Sequence, residues 1–405
     1  MFNNTFNLDY IFNRMNFEDT EEAYRLKTNN ELYRALYLYR LIANNTLVAI
    51  GSKLALWALQ LGLPISGLFK RTVFKQFCAG AAKEDSIKLV SRLADLNVKS
   101  YMHFAAEGQK SEAGMDTSLE KTLETLSFSK ETQALPFTVF KATSLGPFAL
   151  FEKKSNGVAF NKEEQAAWDR MLERVQKCCS YAKKLNVRML IDAEESWIQA
   201  AIDEIAEDLM ETFNRKQTLI FTTVQMYRKD RLSYMTALLQ KAEAKGFTTG
   251  VKLVRGAYIE KENKRARELG IPSPICESKA ATDINFNAAL DLILPKVDRC
   301  NLFIGSHSES SILKVTQWMK VHQLPNDHPT IWFSQLYGMA DHISFNLASL
   351  GYQVVKYVPY GPVKDVIPYL IRRAEENTSV SGQTPRELNL IKKEIDRRKV
   401  KAVAG

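Results

Sequence analysis

The chain is poor in cysteine, and the cysteines it has are badly placed for crosslinking. There are five: Cys78, Cys178, Cys179, Cys276 and Cys300. An odd count in a long chain, with no CxxC pair, argues against a disulfide framework or a zinc site and for reduced thiols. Histidine is also scarce, with five scattered residues and no HExxH, so no metal site is expected. No GxGxxG follows a strand-like run, and neither GxxxxGKS/T nor GxSxG occurs. Rossmann dinucleotide binding, a P-loop and a serine-hydrolase elbow are therefore unsupported. Long apolar runs are missing too. The most apolar stretch, "LALWALQLGLPISGLF" from Leu54, is interrupted by Gln60, Gly62 and Pro64 and is too short to span a bilayer. It predicts a buried helix, with a helix lying on a membrane surface as the alternative. The opening residues lack a basic segment followed by an apolar one, so no secretory signal is read and a cytoplasmic location is expected.

The 405 residues are ordinary in composition, 45% hydrophobic and 25% charged, with a net charge of +9. That excess favours anionic partners, whether nucleic acid, lipid or cofactor. Nucleic acid is the poorest of these, because the cations interleave with carboxylates and no aromatic RNA-binding motif is present.

Up to about residue 95 the pattern is helical, as in "NNELYRALYLYRLIANNTL" and "KEDSIKLVSRLADLN". Short β-branched runs then alternate with amphipathic segments. Eight are recognisable: "SYMHF" from Ser100, "FTVFKAT" from Phe137, "VRMLIDA" from Val187, "LIFTTVQ" from Leu219, "GVKLVRGA" from Gly250, "NLFIGSHS" from Asn301, "IWFSQLYG" from Ile331 and "YQVVKYVPYG" from Tyr352. Near-continuous apolar strands separated by helices predict a parallel sheet covered on both faces. Eight units fit an α/β fold of the (β/α)8 type, although counting alone leaves an open doubly wound sheet as an alternative. Polar groups at the strand ends (Lys141, Asp192, Gln225, Arg255, His307, Tyr337 and Tyr357) favour the barrel, where such ends converge on one mouth.

Three stretches carry candidate chemistry. "IDAEES" places Asp192 directly after an apolar run, where a buried carboxylate needs a cationic partner; Glu194 and Glu195 could merely begin a helix. "VKLVRGAY" ends a buried strand with Lys252 and Arg255, and Gly256 and Ala257 leave room for a flat ligand to reach the backbone. A phosphate or an electron-rich ring would satisfy those cations. "GPVKDVIPYLIRRAEEN" predicts a helix with Pro362 in its first turn. At about 100° per residue, Tyr369, Arg372, Arg373 and Glu376 share one arc, a patch suited to gripping a carboxylate. An eighth barrel helix normally runs down the outside, however, so this use requires the helix to cross the mouth.

Taken together, "FKATSL", "IDAEES", "VKLVRGAY", "FSQLYGM" and "KYVPYGPVKDVIPYLIRRAEEN" resemble, in order, the signatures of the proline dehydrogenase family, over about residues 95–378. The resemblance implies a distorted (β/α)8 barrel, residues 96–378, holding FAD at its mouth with the last helix above it. An N-terminal helical arm (1–95) precedes the barrel and a basic C-terminal helix or tail (379–405) follows. It implies that Arg372, Arg373 and Lys141 hold the substrate carboxylate, that Tyr258, Leu336, Tyr357 and Tyr369 wall in its ring, and that Glu376 pairs with the arginines. Flavin contacts map onto Ala193, Gln225, Lys252, Arg255, Gly256, Ala257, Ser306 and His307. Asp192 and Lys252 become the catalytic candidates, Asp192 also helping to orient Lys141. Two positions depart from bacterial relatives: Lys252 replaces an arginine, and Ile259 an aromatic residue. The implied reaction is L-proline to 1-pyrroline-5-carboxylate by hydride transfer to flavin N5, the first step of proline catabolism. Electrons then pass to a membrane quinone, with peripheral contact to the inner face of a membrane, and pyrroline-5-carboxylate dehydrogenase lies on a separate chain. Tyr357 favours proline, since relatives using hydroxyproline carry a small residue there. Hydroxyproline dehydrogenase and a non-redox barrel binding a phosphorylated ligand are the alternative readings.

Overall fold

In the computed structural model, residues 17–61, 67, 72–104, 111–379 and 383–404 are described. All eight expected runs are strands: β1 Val98–Phe104, β2 Phe137–Lys141, β3 Arg188–Asp192, β4 Ile220–Gln225, β5 Thr249–Val254, β6 Cys300–Gly305, β7 Ile331–Leu336 and β8 Val354–Tyr360. They pair in parallel and in sequence order, and β8 returns to β1, so the sheet is a closed barrel and the open-sheet alternative falls away. Parallel neighbours need covered crossovers, and helices supply them. The helix Lys162–Leu185, for instance, starts at an Asn161–Glu164 capping box and stops at Asn186, which adopts the left-handed conformation.

Alternation along the strands divides the packing into two cores. Outward residues such as Met189, Ile191, Leu253, Ile304 and Phe333 are buried beneath the helices. Each such burial contributes about 1.5–3 kcal/mol. Inside the barrel, Phe137 meets Phe221, Phe303 and Trp332 edge-on at 5.6, 5.0 and 4.9 Å. Lys99, near the start of β1, and Arg188, which opens β3, both lie over the Trp332 ring, at 4.9 and 5.4 Å from its centroid. The N-terminal end of the barrel is therefore filled by side chains, as this fold requires.

The arm and the C-terminal helix pack on one another. The helix Asn29–Ile42, begun by a Thr28–Glu31 capping box, lies against the helix Gln383–Ala404. Arg398 donates to the Tyr24 and Lys27 carbonyls, and Arg386 pairs with Glu309 and with Glu18. The next arm helix, Asn45–Gln60, contains the start of the apolar stretch expected to be buried. That expectation is overturned: Leu54, Trp57 and Leu61 are exposed, because Ala55 rather than a large side chain packs against Ile367 and Ile371. Residues 62–66 and 68–69 of that stretch lie outside the described set. No helix among the described residues is long and apolar enough to cross a membrane.

Candidate active site

A cavity of about 520 Å³ opens at the C-terminal end of the strands. Every site residue expected from the sequence lines it except Glu376, whose side chain lies outside the described set. Strand ends and the loops that follow them account for most of the wall, the helix Val363–Ser379 adds Tyr369, Arg372 and Arg373, and Lys279, His342 and Arg386 come from other helices. This helix starts after Gly361, whose φ of 144° suits glycine and turns the chain sharply, with its N–H on the Gly80 carbonyl. Val366 and Leu370 pack with Tyr357 and the C-terminal helix, and Ile367 and Ile371 pack with the arm. Held on two faces, the helix presents Tyr369, Arg372 and Arg373 to the cavity. The crossing of the mouth that the arginine reading required is present.

At the centre, Lys252 Nζ donates to Asp192 Oδ1 at 2.7 Å. Burial acts to raise the Asp192 pKa, but the Lys252 charge, aided by His103 and Lys141, overrides it and holds the carboxyl below its ordinary range. Burial likewise acts to lower Lys252, and Asp192 overrides that, so the pair is ionised. The Lys252 ammonium lies 5.3 Å from the Tyr101 ring centroid and 5.9 Å from that of Tyr357, both within cation–π range. Asp192 is thus bonded by Lys252, and Lys141 acts on it through charge. The Lys141 ammonium itself donates to the Tyr258 hydroxyl at 2.9 Å.

Behind Lys141, the buried Glu194 accepts from the Thr143 hydroxyl at 2.6 Å and from its N–H at 3.1 Å. Burial dominates there and pushes Glu194 up to about 7, against the pull of Lys141. It does more than begin a helix.

The rim on the β4–β6 side is built from hydrogen bonds between loops. Gln225 donates to the Glu194 carbonyl at 2.7 Å and accepts from Ala257 N–H at 3.1 Å, tying the ends of β3 and β5 together. Arg255, facing opposite to Lys252, donates to Asp283, Ser306 and Ser311 and lies over Phe286. Gly256 has φ of 134°, and a Cβ there would stand 2.4 Å from the Tyr227 ring, so only glycine fits. His307 is pulled down to about 3 by burial and by the charges of Lys356 and Arg373. As a neutral ring it accepts the Leu336 N–H on Nε2 at 3.1 Å. The buried Lys356 donates to the Met339 carbonyl and to Asp341, bracing the loop that follows Leu336.

Tyr337, expected with the strand-end groups, is packed against the outer core instead. It follows Leu336 by one residue, and alternation turns it away from the cavity. The sequence reading missed Tyr101, His342 and Arg386, which line the cavity, and His103, which bonds Tyr357. For Tyr101 and His103 the signal was available, since "SYMHF" alternates and puts both on one face. For Arg386, on a separate helix, there was none.

Comparison with known proteins follows the same lines. A family model described as proline dehydrogenase matches residues 86–386. The carbapenem antibiotics biosynthesis protein CarD of Pectobacterium carotovorum subsp. carotovorum is 36% identical over 324 residues, covering 80% of this chain and 84% of that protein. Human mitochondrial proline dehydrogenase 1 is 39% identical over 245 residues, covering 59% of this chain and 40% of its own length. Human hydroxyproline dehydrogenase is 32% identical over 424 residues, covering 93% of this chain and 92% of its own. Among solved structures, proline utilization A from Bdellovibrio bacteriovorus, inactivated by N-propargylglycine, superposes with a TM-score of 0.68. It is 18% identical, and the match covers 91% of this chain and 38% of that one, a likeness of fold alone.

Proposed function

This chain belongs to the proline dehydrogenase family, and on that premise we propose that its cavity oxidises L-proline to 1-pyrroline-5-carboxylate with FAD as cofactor. The observation that carries the reading is the meeting of Arg372, Arg373 and Lys141 in one cavity above the Lys252–Asp192 pair. Two guanidinium groups and an ammonium suit a small carboxylate, which they would hold by charge-assisted hydrogen bonds. Tyr258, Leu336, Tyr357 and Tyr369 supply the apolar wall for a five-membered ring.

The donor set fits the cofactor. Lys252 provides a buried cation, Gly256 a stretch of backbone with no side chain, and Arg255, Lys279 and the serines at 306, 308 and 310 provide donors along the rim. Ala193, Gln225, Ala257 and His307 complete the cofactor side, and the aliphatic Ile259 sits among them. The chemistry that FAD supplies when bound there is acceptance of a hydride at N5 and later release of electrons to a quinone. The chain's own part is positioning. The carboxylate grip fixes the ring, the tyrosines exclude water, and Lys252 places positive charge where negative charge accumulates. In the reaction the carbon next to nitrogen loses a hydride, the nitrogen loses a proton, and a C=N bond forms.

Hydroxyproline is the second candidate substrate, because hydroxyproline dehydrogenases align over 93% of this chain. Tyr357 lines the cavity, and the family resemblance implies a small residue at that position in hydroxyproline-oxidising relatives, which favours proline. The deciding experiment is anaerobic titration of the FAD-loaded protein with each imino acid, followed by flavin absorbance. Bleaching by proline at lower concentration than by hydroxyproline is expected. Bleaching by neither would remove the assignment.

A further inference from the structure

The far end of the barrel, opposite the cavity, carries charge that the fold does not use. Tyr101, Leu190, Phe303 and Val355 belong to the inner core. Alternation puts the residues two positions earlier, Lys99, Arg188, Asn301 and Gln353, on the same face of the sheet as its lowest tier. All four side chains are partly buried, above the buried Trp332 and Phe137. An interior that is aromatic one tier higher thus ends in two cations and two amides.

Their bonding is incomplete. Lys99 donates to Gln353 Oε1 at 2.9 Å, and Gln353 donates to the Asp327 carbonyl at 3.2 Å. Among the described residues, neither Lys99 nor Arg188 forms an ion pair, and Arg188 donates to no acceptor. Its guanidinium rests instead on the Phe137 and Trp332 rings, 5.5 and 5.4 Å from their centroids, which fixes the plane of its donors. Burial and the Arg188 charge pull the Lys99 pKa down, against Asp327, and burial pulls Arg188 down as well. Two like charges drawn partly out of water, with no carboxylate between them, destabilise the fold. Apolar side chains would close the barrel without that cost. An anion seated between the two cations removes it.

We propose that Lys99 and Arg188, with the Asn301 and Gln353 amides beside them, bind a phosphate group at the N-terminal end of the barrel. Charge sets the class of ligand. Two cations match a phosphate, which carries about −1.5 to −2 at neutral pH, better than a monocarboxylate. The planar guanidinium fork and the compact ammonium are the two kinds of donor that phosphate recognition uses. Both free phosphate and a phosphate monoester meet this description. The site is distinct from the cavity: Lys99 and Arg188 lie at the start of β1 and β3, whose other ends carry His103 and Asp192. Its occupancy does not depend on which substrate the cavity takes, so this proposal and the proline assignment can fail separately.

The test is titration of the FAD-loaded full chain with inorganic phosphate and, separately, with AMP, followed by calorimetry and thermal unfolding. Ionic strength is held constant with sodium chloride, and the bound FAD keeps phosphate off the cofactor's own donors. Phosphate is expected to bind and to raise Tm by about 2 °C or more. Tighter binding of AMP would identify a monoester as the ligand, and weaker binding the free ion. The double variant Lys99→Met/Arg188→Met should bind phosphate about tenfold or more weakly, while its Tm without phosphate equals or exceeds that of wild type. Should the double variant fold poorly, Lys99→Met alone should still weaken binding about tenfold. Three results would overturn the proposal: no binding of either ligand, an equal rise in Tm with chloride alone, or undiminished binding by the variants, which would give the phosphate to the mouth.

Discussion

The Tyr357 hydroxyl and His103 Nδ1 lie 2.7 Å apart, joining β8 to β1 at the level of the cavity. Both side chains are buried. The Tyr357 ring, 5.2 Å from Tyr101 and 6.0 Å from Tyr369, is therefore fixed by a bond at its far end as well as by packing. Removing the hydroxyl in Tyr357→Phe takes this bond from a buried imidazole, at a cost of about 1–3 kcal/mol. Urea unfolding of the single and double variants with His103→Phe measures it. The double variant should lose less stability than the sum of the two single variants.

Asp192→Asn leaves the buried Lys252 without its carboxylate and should cost about 3–5 kcal/mol. The pH dependence has a definite sign. Asp192 is lowered in the folded state, so its contribution is present above the unfolded value of about 3.9 and is lost as pH falls through the folded one. Lys252 is raised, so its contribution is present below about 10.4 and is lost as pH rises beyond that. The stability gap between wild type and variant should be flat through neutral pH and shrink at either extreme.

Glu194 behaves oppositely. With its folded pKa raised to about 7, it favours the folded state most at acidic pH and loses that advantage as pH rises to 7. Wild type should therefore lose about 2–3 kcal/mol relative to Glu194→Gln between pH 4.5 and pH 8, a change that denaturant titrations at several pH values would detect.

Arg372→Met and Arg373→Met each remove part of the carboxylate grip. A charged hydrogen bond contributes about 1.5–3 kcal/mol, so kcat/KM for proline should fall about 10- to 100-fold, mainly through KM. Steady-state kinetics with a dye acceptor checks this, while the flavin spectrum should remain unchanged.

Gly256→Ala forces a methyl group into the Tyr227 ring at a φ that alanine avoids. A loss of 2 kcal/mol or more is expected, together with loss of bound flavin on gel filtration.

The strands were legible because each is a short apolar run, and all but β1 have a polar side chain at or near the C-terminal end, a pattern that parallel barrels favour. The path of the last helix was not. Val366, Ile367 and Leu370 form the same apolar stripe whether the helix runs down the barrel or across it, and what decides is packing against distant segments, Ala55 in the arm and Leu390 and Ile391 in the C-terminal helix. The partner of Lys141 was hidden for a similar reason: Tyr258 lies on a different strand–helix loop, and no local spacing links the two. The arm helix was misjudged because an apolar sequence implies burial only when something large covers it.

The ring of Trp332, with Lys99 and Arg188 over it, closes the far end of the barrel axis. A room with one blocked end imposes a queue at the other. If the cavity oxidises proline as proposed, substrate, product and oxidant would all pass through the C-terminal end of the barrel where the cavity opens. Crowding by any one of them should slow the others, so high proline should compete with the electron acceptor even though the two are chemically unrelated.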